Sequence, residues 1–236
     1  MTGAARVTLA GSEAFLRPDR SLWLPALATL VVADLHVGKE AAFRDAGLAI
    51  PEGILDETLA RLGRAVAECA ARRVVVAGDL VHSRRGLPDG VVARFARWRK
   101  DVDAAIDLVR GNHDRHAPQL PPEWRVGEAG DELRLGGLVV RHEPEPREGS
   151  LVVAGHLHPT VALRSGVDRL TLPCFALSPR LLVLPAFTRF SRGERVNGSP
   201  GTRIYAVAGD ATVEVDPELA GRGSGGGAVC AATIAR

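Results

Sequence analysis

Seven side chains with metal-binding chemistry recur along this chain in a fixed order: Asp34 and His36, Asp79, Asn112, His142, then His156 and His158. The chain holds only 7 histidines; four are in that series, and a fifth, His113, follows Asn112 directly. Carboxylates, one carboxamide oxygen and imidazole nitrogens, with no thiolate, suit manganese, iron or zinc better than calcium or magnesium. Seven ligands are too many for one tetrahedral zinc and suit two ions sharing a bridge, with Asp79 able to supply the bridging carboxylate. Two divalent cations roughly 3.5–4 Å apart clamp a phosphoryl group and lower the pKa of a water from about 15.7 towards 7. The hydroxide so formed attacks phosphorus in line with the leaving oxygen. His113 is placed to give that oxygen a proton or a positive neighbour, with Asp114 or His82 to orient or assist it.

Each candidate ligand sits at or just past the end of a short apolar run. Thr29 to Ala33 ends in Asp34-Leu35-His36, Arg73 to Ala77 in Gly78-Asp79, and Ile106 to Val109 in Gly111-Asn112-His113-Asp114. Between the first two runs, Leu55, Leu59, Leu62, Val66 and Cys69 repeat at a helical period. Asp89 is placed to cap a second helix carrying Val91, Phe95, Trp98 and Val102. This β-α-β-α-β order predicts adjacent parallel strands.

The second half changes character. Gly136-Gly137 separates Glu132–Leu135 from Leu138–His142, and Ser165-Gly166 separates two further runs, both reading as hairpins. Leu151 to Ala154 is a buried strand ending in Gly155-His156-Leu157-His158, and strands follow at 181–184, 203–207 and 212–215. The pattern predicts two mixed sheets packed face to face with helices outside, in one domain over residues 1–217. The glycine-rich tail, residues 218–236, reads as flexible.

With 46% hydrophobic but only 4% aromatic residues, the core must rest on Val, Leu, Ile and Ala. A net charge of +2 does not by itself argue for nucleic acid. Cys69, Cys174 and Cys230 are odd in number and lack CxxC spacing, which argues against a disulfide framework or a zinc ribbon and suits a reducing cytoplasm. No signal peptide is visible, and no apolar run approaches the roughly 18 residues of a membrane span, so a cytoplasmic location without membrane contact is expected.

In order, the five blocks Asp34-x-His36, Gly78-Asp79, Gly111-Asn112-His113-Asp114, His142 and Gly155-His156-x-His158 resemble the signature of the calcineurin-like metallophosphoesterases. That resemblance implies a four-layer α/β/β/α sandwich. It assigns Asp34, His36, Asp79 and His158 to a first metal, Asp79, Asn112, His142 and His156 to a second, and phosphate contact or proton donation to His113.

The segment Ala33 to Arg44, with Leu172-Pro173-Cys174-Phe175 and Leu184-Pro185-Ala186-Phe187, is similar to a narrower group, the bacterial ligase-associated DNA damage response endonucleases. These are manganese-dependent phosphodiesterases encoded beside a helicase and an ATP-dependent DNA ligase, so both proteins become candidate partners by resemblance alone. The chain departs from that group at Arg189-Phe190-Ser191-Arg192-Gly193. Protein phosphatases of the superfamily carry Asp-Arg-Gly three residues after the bridging Asp. Here His82 takes that place, as in repair nucleases.

The combined expectation is a two-metal phosphodiesterase, manganese first with iron or zinc as alternatives, cutting single-stranded DNA internally during repair. Lys39, Arg44, Arg84 and Arg85 are candidate phosphate contacts. A phosphatase or phosphodiesterase acting on nucleotides or other metabolites is the alternative. A non-catalytic scaffold would have lost these ligands.

Overall fold

The computed structural model describes residues 2–82, 87–117, 119–165, 168–196 and 199–216. Arg84 and Arg85, the turn of the second hairpin, and the tail with Cys230 lie outside the described residues. In chain order the elements are β1 (Ala5–Leu9), β2 (Ser12–Leu16), β3 (Leu22–Leu24), β4 (Thr29–Val32), α1 (Lys39–Asp45), α2 (Ile54–Cys69) and β5 (Arg73–Ala77). Then come α3 (Asp89–Lys100), β6 (Ala105–Val109), β7 (Val126–Glu128), β8 (Glu132–Leu135), β9 (Leu138–Arg141) and β10 (Leu151–Ala154). The last are β11 (Thr160–Ser165), β12 (Asp168–Ser178), β13 (Leu181–Val183), β14 (Arg203–Ala208) and β15 (Ala211–Val215).

Strands β1 to β7 form one sheet in chain order; the second runs β15-β14-β12-β13-β10-β9-β8, with β11 paired to β12. Both sheets are mixed. Strands β4, β5, β6 and β7 are parallel, as the alternation of runs and helices predicts. Strand β10 is parallel to both of its neighbours, β9 and β13.

The period of two decides the layers. In and just after β4, and in β5, Val31, Ala33, Val75 and Ala77 face the second sheet, whose Val153, Phe175, Leu182 and Tyr205 meet them in a shared core. The alternate residues Leu30, Val32, Val74 and Val76 face the helices. On that side Leu55, Leu59, Leu62, Val66 and Cys69 of α2 are buried as one stripe, and Phe95 of α3 stacks on Trp124 with centroids 4.1 Å apart. Helix α2 starts after Gly53 and ends at Ala70, both left-handed, with Asp56 and Glu57 in its positive first turn.

The three α-helices among the described residues pack against the first sheet. Over the outer face of the second sheet, among the described residues, Val161 of β11 and Val196 cover Val152, Ala154 and Val183. The fourth layer is therefore strand and coil in this part of the chain. Helix α3 begins at Asp89 itself with Pro88 as its cap, so Asp89 sits inside the first turn rather than before it. Cys69 and Cys174 are buried. Among the described residues, no helix is long and apolar enough to cross a membrane.

Candidate metal centre

Chain direction explains the site. The C-terminal ends of β4, β5, β6 and β10, with the end of β9, open at one edge of the two-sheet sandwich, and their loops carry the candidate ligands. Of the ten non-glycine residues with positive φ among the described residues, five are Asp34 (57°), His36 (49°), Asp79 (54°), His156 (71°) and His158 (47°). Each such residue costs about 1–3 kcal/mol and persists only where its surroundings enforce it. Here the strands turn sharply so that these side chains point into one volume.

Glycines in the same blocks make room. A Cβ on Gly78 (φ +85°) would lie 2.1 Å from His142 Nδ1, one on Gly111 2.3 Å from Asp79 Oδ1, and one on Gly155 2.7 Å from Asp34 Oδ2. The loops are laced together beyond the strands. The Asp34 N–H donates to Gly78 O at 3.0 Å, His36 N–H to Asp79 O at 2.9 Å and Val37 N–H to Leu80 O at 2.8 Å. From the far side of the sandwich, the Phe187 N–H donates to Ala33 O at 2.8 Å.

Asp34 is 0% and Asp79 2% exposed, and the groups that approach their carboxylates are histidine rings rather than arginines or lysines making direct pairs. Asp34 Oδ1 lies 3.4 Å from His158 Nε2 and 3.9 Å from His142 Nδ1. Asp79 reaches His142 Nε2 at 3.5 Å, and His36 and His113 Nε2 at 3.9 Å each. His36 and His158 face each other Nε2 to Nε2 at 3.4 Å. His156 Nδ1 is 3.0 Å from His142 Nε2, which also lies 2.9 Å from Asn112 Oδ1.

Outer partners orient these rings. The far nitrogen of His158 meets Arg192 O at 2.9 Å, and Nδ1 of His142 meets Ala77 O at 3.1 Å. A neutral imidazole carries one N–H. Spent on those carbonyls, it leaves a bare nitrogen turned inward on each ring, the usual arrangement behind a metal-bound histidine. Bare nitrogens and buried carboxylate oxygens crowded at 3–4 Å repel one another until a cation lies between them. The donor set therefore fits divalent metal on the structure's own geometry. Three-residue clusters lie at Asp34/His36/His158, Asp34/Asp79/His142 and His142/Glu143/His156.

Before any cation's charge is counted, burial holds His36 far below its ordinary pKa, helped by Lys39 and the neighbouring histidines. Burial, with the nearby Asp34 charge, raises Asp79. At His158 burial works against the charged form, but the Asp34 contact outweighs it and the net shift is upward. This is a site short of positive charge at its carboxylates.

His82 and His113 sit beside the cluster as a stacked pair, centroids 4.9 Å apart at 25°. His113 Nδ1 lies 2.5 Å from the His82 carbonyl, and its backbone N–H donates to Asp79 Oδ1 at 3.0 Å. Burial and the charges of His113 and Lys39 lower His82 to about 4. Asp114, read from sequence as an aid to His113, has its oxygens on backbone instead: the N–H groups of Asp79 (2.7 Å), Gly111 (2.8 Å) and Val81 (3.1 Å).

Lys39, in the first turn of α1, lies within electrostatic reach of Asp34 and Asp79. Arg44 turns to the carbonyl of Pro51 at 3.2 Å. Glu143, 3.7 Å from His156 Nε2, was not singled out from the sequence, although it directly follows His142.

Residues 27–164 match the calcineurin-like phosphoesterase family, and the chain belongs to that family. It is a metal-dependent phosphoesterase with a buried His/Asp metal site. Within that class the chain is similar to the nuclease MPE of Pseudomonas putida, at 31% identity over 90% of this chain and 100% of that one, with a TM-score of 0.80. Yfce, a phosphoesterase from E. coli, aligns at 18% identity over 82% of this chain and 99% of its own, with a TM-score of 0.37, too distant to inform the site. Among curated proteins, none matches the chain significantly.

Proposed function

We propose that this protein is a two-metal phosphodiesterase that cuts single-stranded DNA internally, in the service of DNA repair, with manganese as its working metal. The observation that carries the reading is the crowding of bare ring nitrogens around two buried carboxylates, with the His82–His113 stack at its edge. Asp34, His36, Asp79 and His158 would hold one cation, and Asp79, Asn112, His142 and His156 the other. Bound there, two divalent cations supply Lewis acidity to a phosphoryl group and lower the pKa of a water towards about 7.

The remaining steps belong to the protein. With Nδ1–H committed to the His82 carbonyl, His113 presents Nε2 towards the site, where its protonated form can meet a phosphate oxygen or hand a proton to the leaving oxygen. His82 supports that ring from one face. Its own Nδ1 is buried and has no hydrogen-bond partner among the described residues. Lys39 adds positive charge beside the cluster. The similarity to a nuclease supports a nucleic-acid diester as substrate.

The test is incubation with circular single-stranded DNA under separate manganese, zinc, magnesium and chelator conditions. A circle has no ends, so linear product with manganese and none with chelator supports the reading. Hydrolysis of nucleotides or small diesters with an intact circle would replace it with the metabolite alternative.

A further inference from the structure

Four apolar side chains beside the metal centre belong to none of the three cores: Phe43, Leu48, Ile50 and Phe190. They line one open pocket of about 460 Å3, within the roughly 300–1,000 Å3 of small-molecule sites. Leu48 is 53% exposed, one of four large apolar side chains left so among the described residues. A floor of this kind is stable in water only at the cost of exposed apolar area, which marks a binding surface.

The rings continue the site outward. His36 meets His82 edge to face at 5.5 Å between centroids, His82 meets Phe43 at 5.9 Å, and Phe43 meets Phe190 at 5.5 Å. Charge surrounds the floor. Lys39 Nζ stands 5.9 Å from the Phe190 centroid, and Arg189 and Arg192 line the same pocket. Three cations rim an apolar, partly aromatic floor whose neighbour is a phosphoester-cleaving centre. The ligand that matches both parts is flat, aromatic and joined to phosphate.

We propose that this pocket takes the unpaired nucleobase next to the cleaved phosphate, stacked on the face of one of the two near-perpendicular rings, Phe43 or Phe190, with the other against its edge. Lys39 and Arg192 meet the adjoining phosphates, while Arg189 pairs with Glu57. The proposal rests on the nuclease reading and deepens it. A base held there must leave its own stack, so the pocket selects single strands and unpaired segments. Stacking is indifferent to sequence because every base has a π face.

The test uses the manganese-loaded protein and two labelled strands of equal length with cleavage-slowing phosphorothioate links, one of thymidylate and one abasic, compared by fluorescence anisotropy. The wild type should bind thymidylate roughly 5- to 100-fold more tightly than the abasic strand. In the double variant F43L/F190L, which keeps apolar volume but removes the ring faces, that preference should fall to about twofold or less while abasic binding and bound manganese stay unchanged. Equal binding of both strands by the wild type, or a preference kept by the variant, overturns the proposal. An uncut circular strand would sink the nuclease reading on its own; the two-strand comparison would still decide the pocket.

Discussion

The buried carboxylate of Asp114 accepts the backbone N–H of Asp79 at 2.7 Å while also holding Gly111 and Val81. One side chain thus fastens the loop that follows β5 to the loop that follows β6, and with them Asp79 to Asn112. Asp114→Ala leaves three inward N–H groups without an acceptor, each worth roughly 1–3 kcal/mol where no water replaces it. The variant should lose about 3 kcal/mol, or roughly 6–12 °C in Tm, even with chelator present. Unchanged melting with lost activity would mean that Asp114 acts on substrate instead.

His82→Ala should keep the carbonyl that orients His113 but remove the stacked ring. Diester cleavage is expected to fall roughly a hundredfold, with monoester turnover changed only severalfold. Parallel assays on the two substrate types decide this. Equal losses would count against a diester-specific role.

Asp79 lies 3.5–3.9 Å from His142, His36 and His113. Replacing it with Ala removes a ligand from both proposed cations, so activity should fall by more than the roughly 10- to 100-fold typical of losing an outer partner. Bound metal should drop as well. Two equivalents of manganese and substantial turnover in D79A would refute the bridging role.

The metal-free protein should lose stability as acid is added. His36 and His82 are both lowered in the folded state, His82 to about 4. Below the ordinary histidine pKa of about 6.5, the unfolded chain takes up protons that the folded chain refuses, so their contribution fades from pH 6.5 downward. His158 is raised, and its stabilisation is already complete below about 6.5, so it adds no slope there. Asp79 and Asp114 are raised and pull the other way towards about pH 4, which makes the difference between variants the clean readout. In urea titrations with chelator, H82N should show a shallower acid loss than wild type. Identical slopes would contradict the placement of His82.

Much of this site was legible because its chemistry sits at strand ends, and the runs Thr29–Ala33, Arg73–Ala77 and Leu151–Ala154 end where the strands do, to within a residue. Helix α2 showed itself through its stripe. Helix α1 did not: seven residues give two turns, too short for a periodic signal beside Gly47 and Pro51. The β1–β3 meander was also unread, since strands of three to five residues with few hairpin signals carry little pattern. Partnerships were harder still. That Asp114 faces backbone, and that Phe43 meets Phe190 across 147 positions, depends on how distant segments pack.

The central claim is a pair of cations between Asp34, Asp79 and the inward histidines. Crystals grown with excess manganese, measured at the manganese absorption edge, test it most directly. The expected map has two anomalous peaks roughly 3.5–4 Å apart, with Asp79 touching both. A single peak, or peaks away from this cluster, would contradict it.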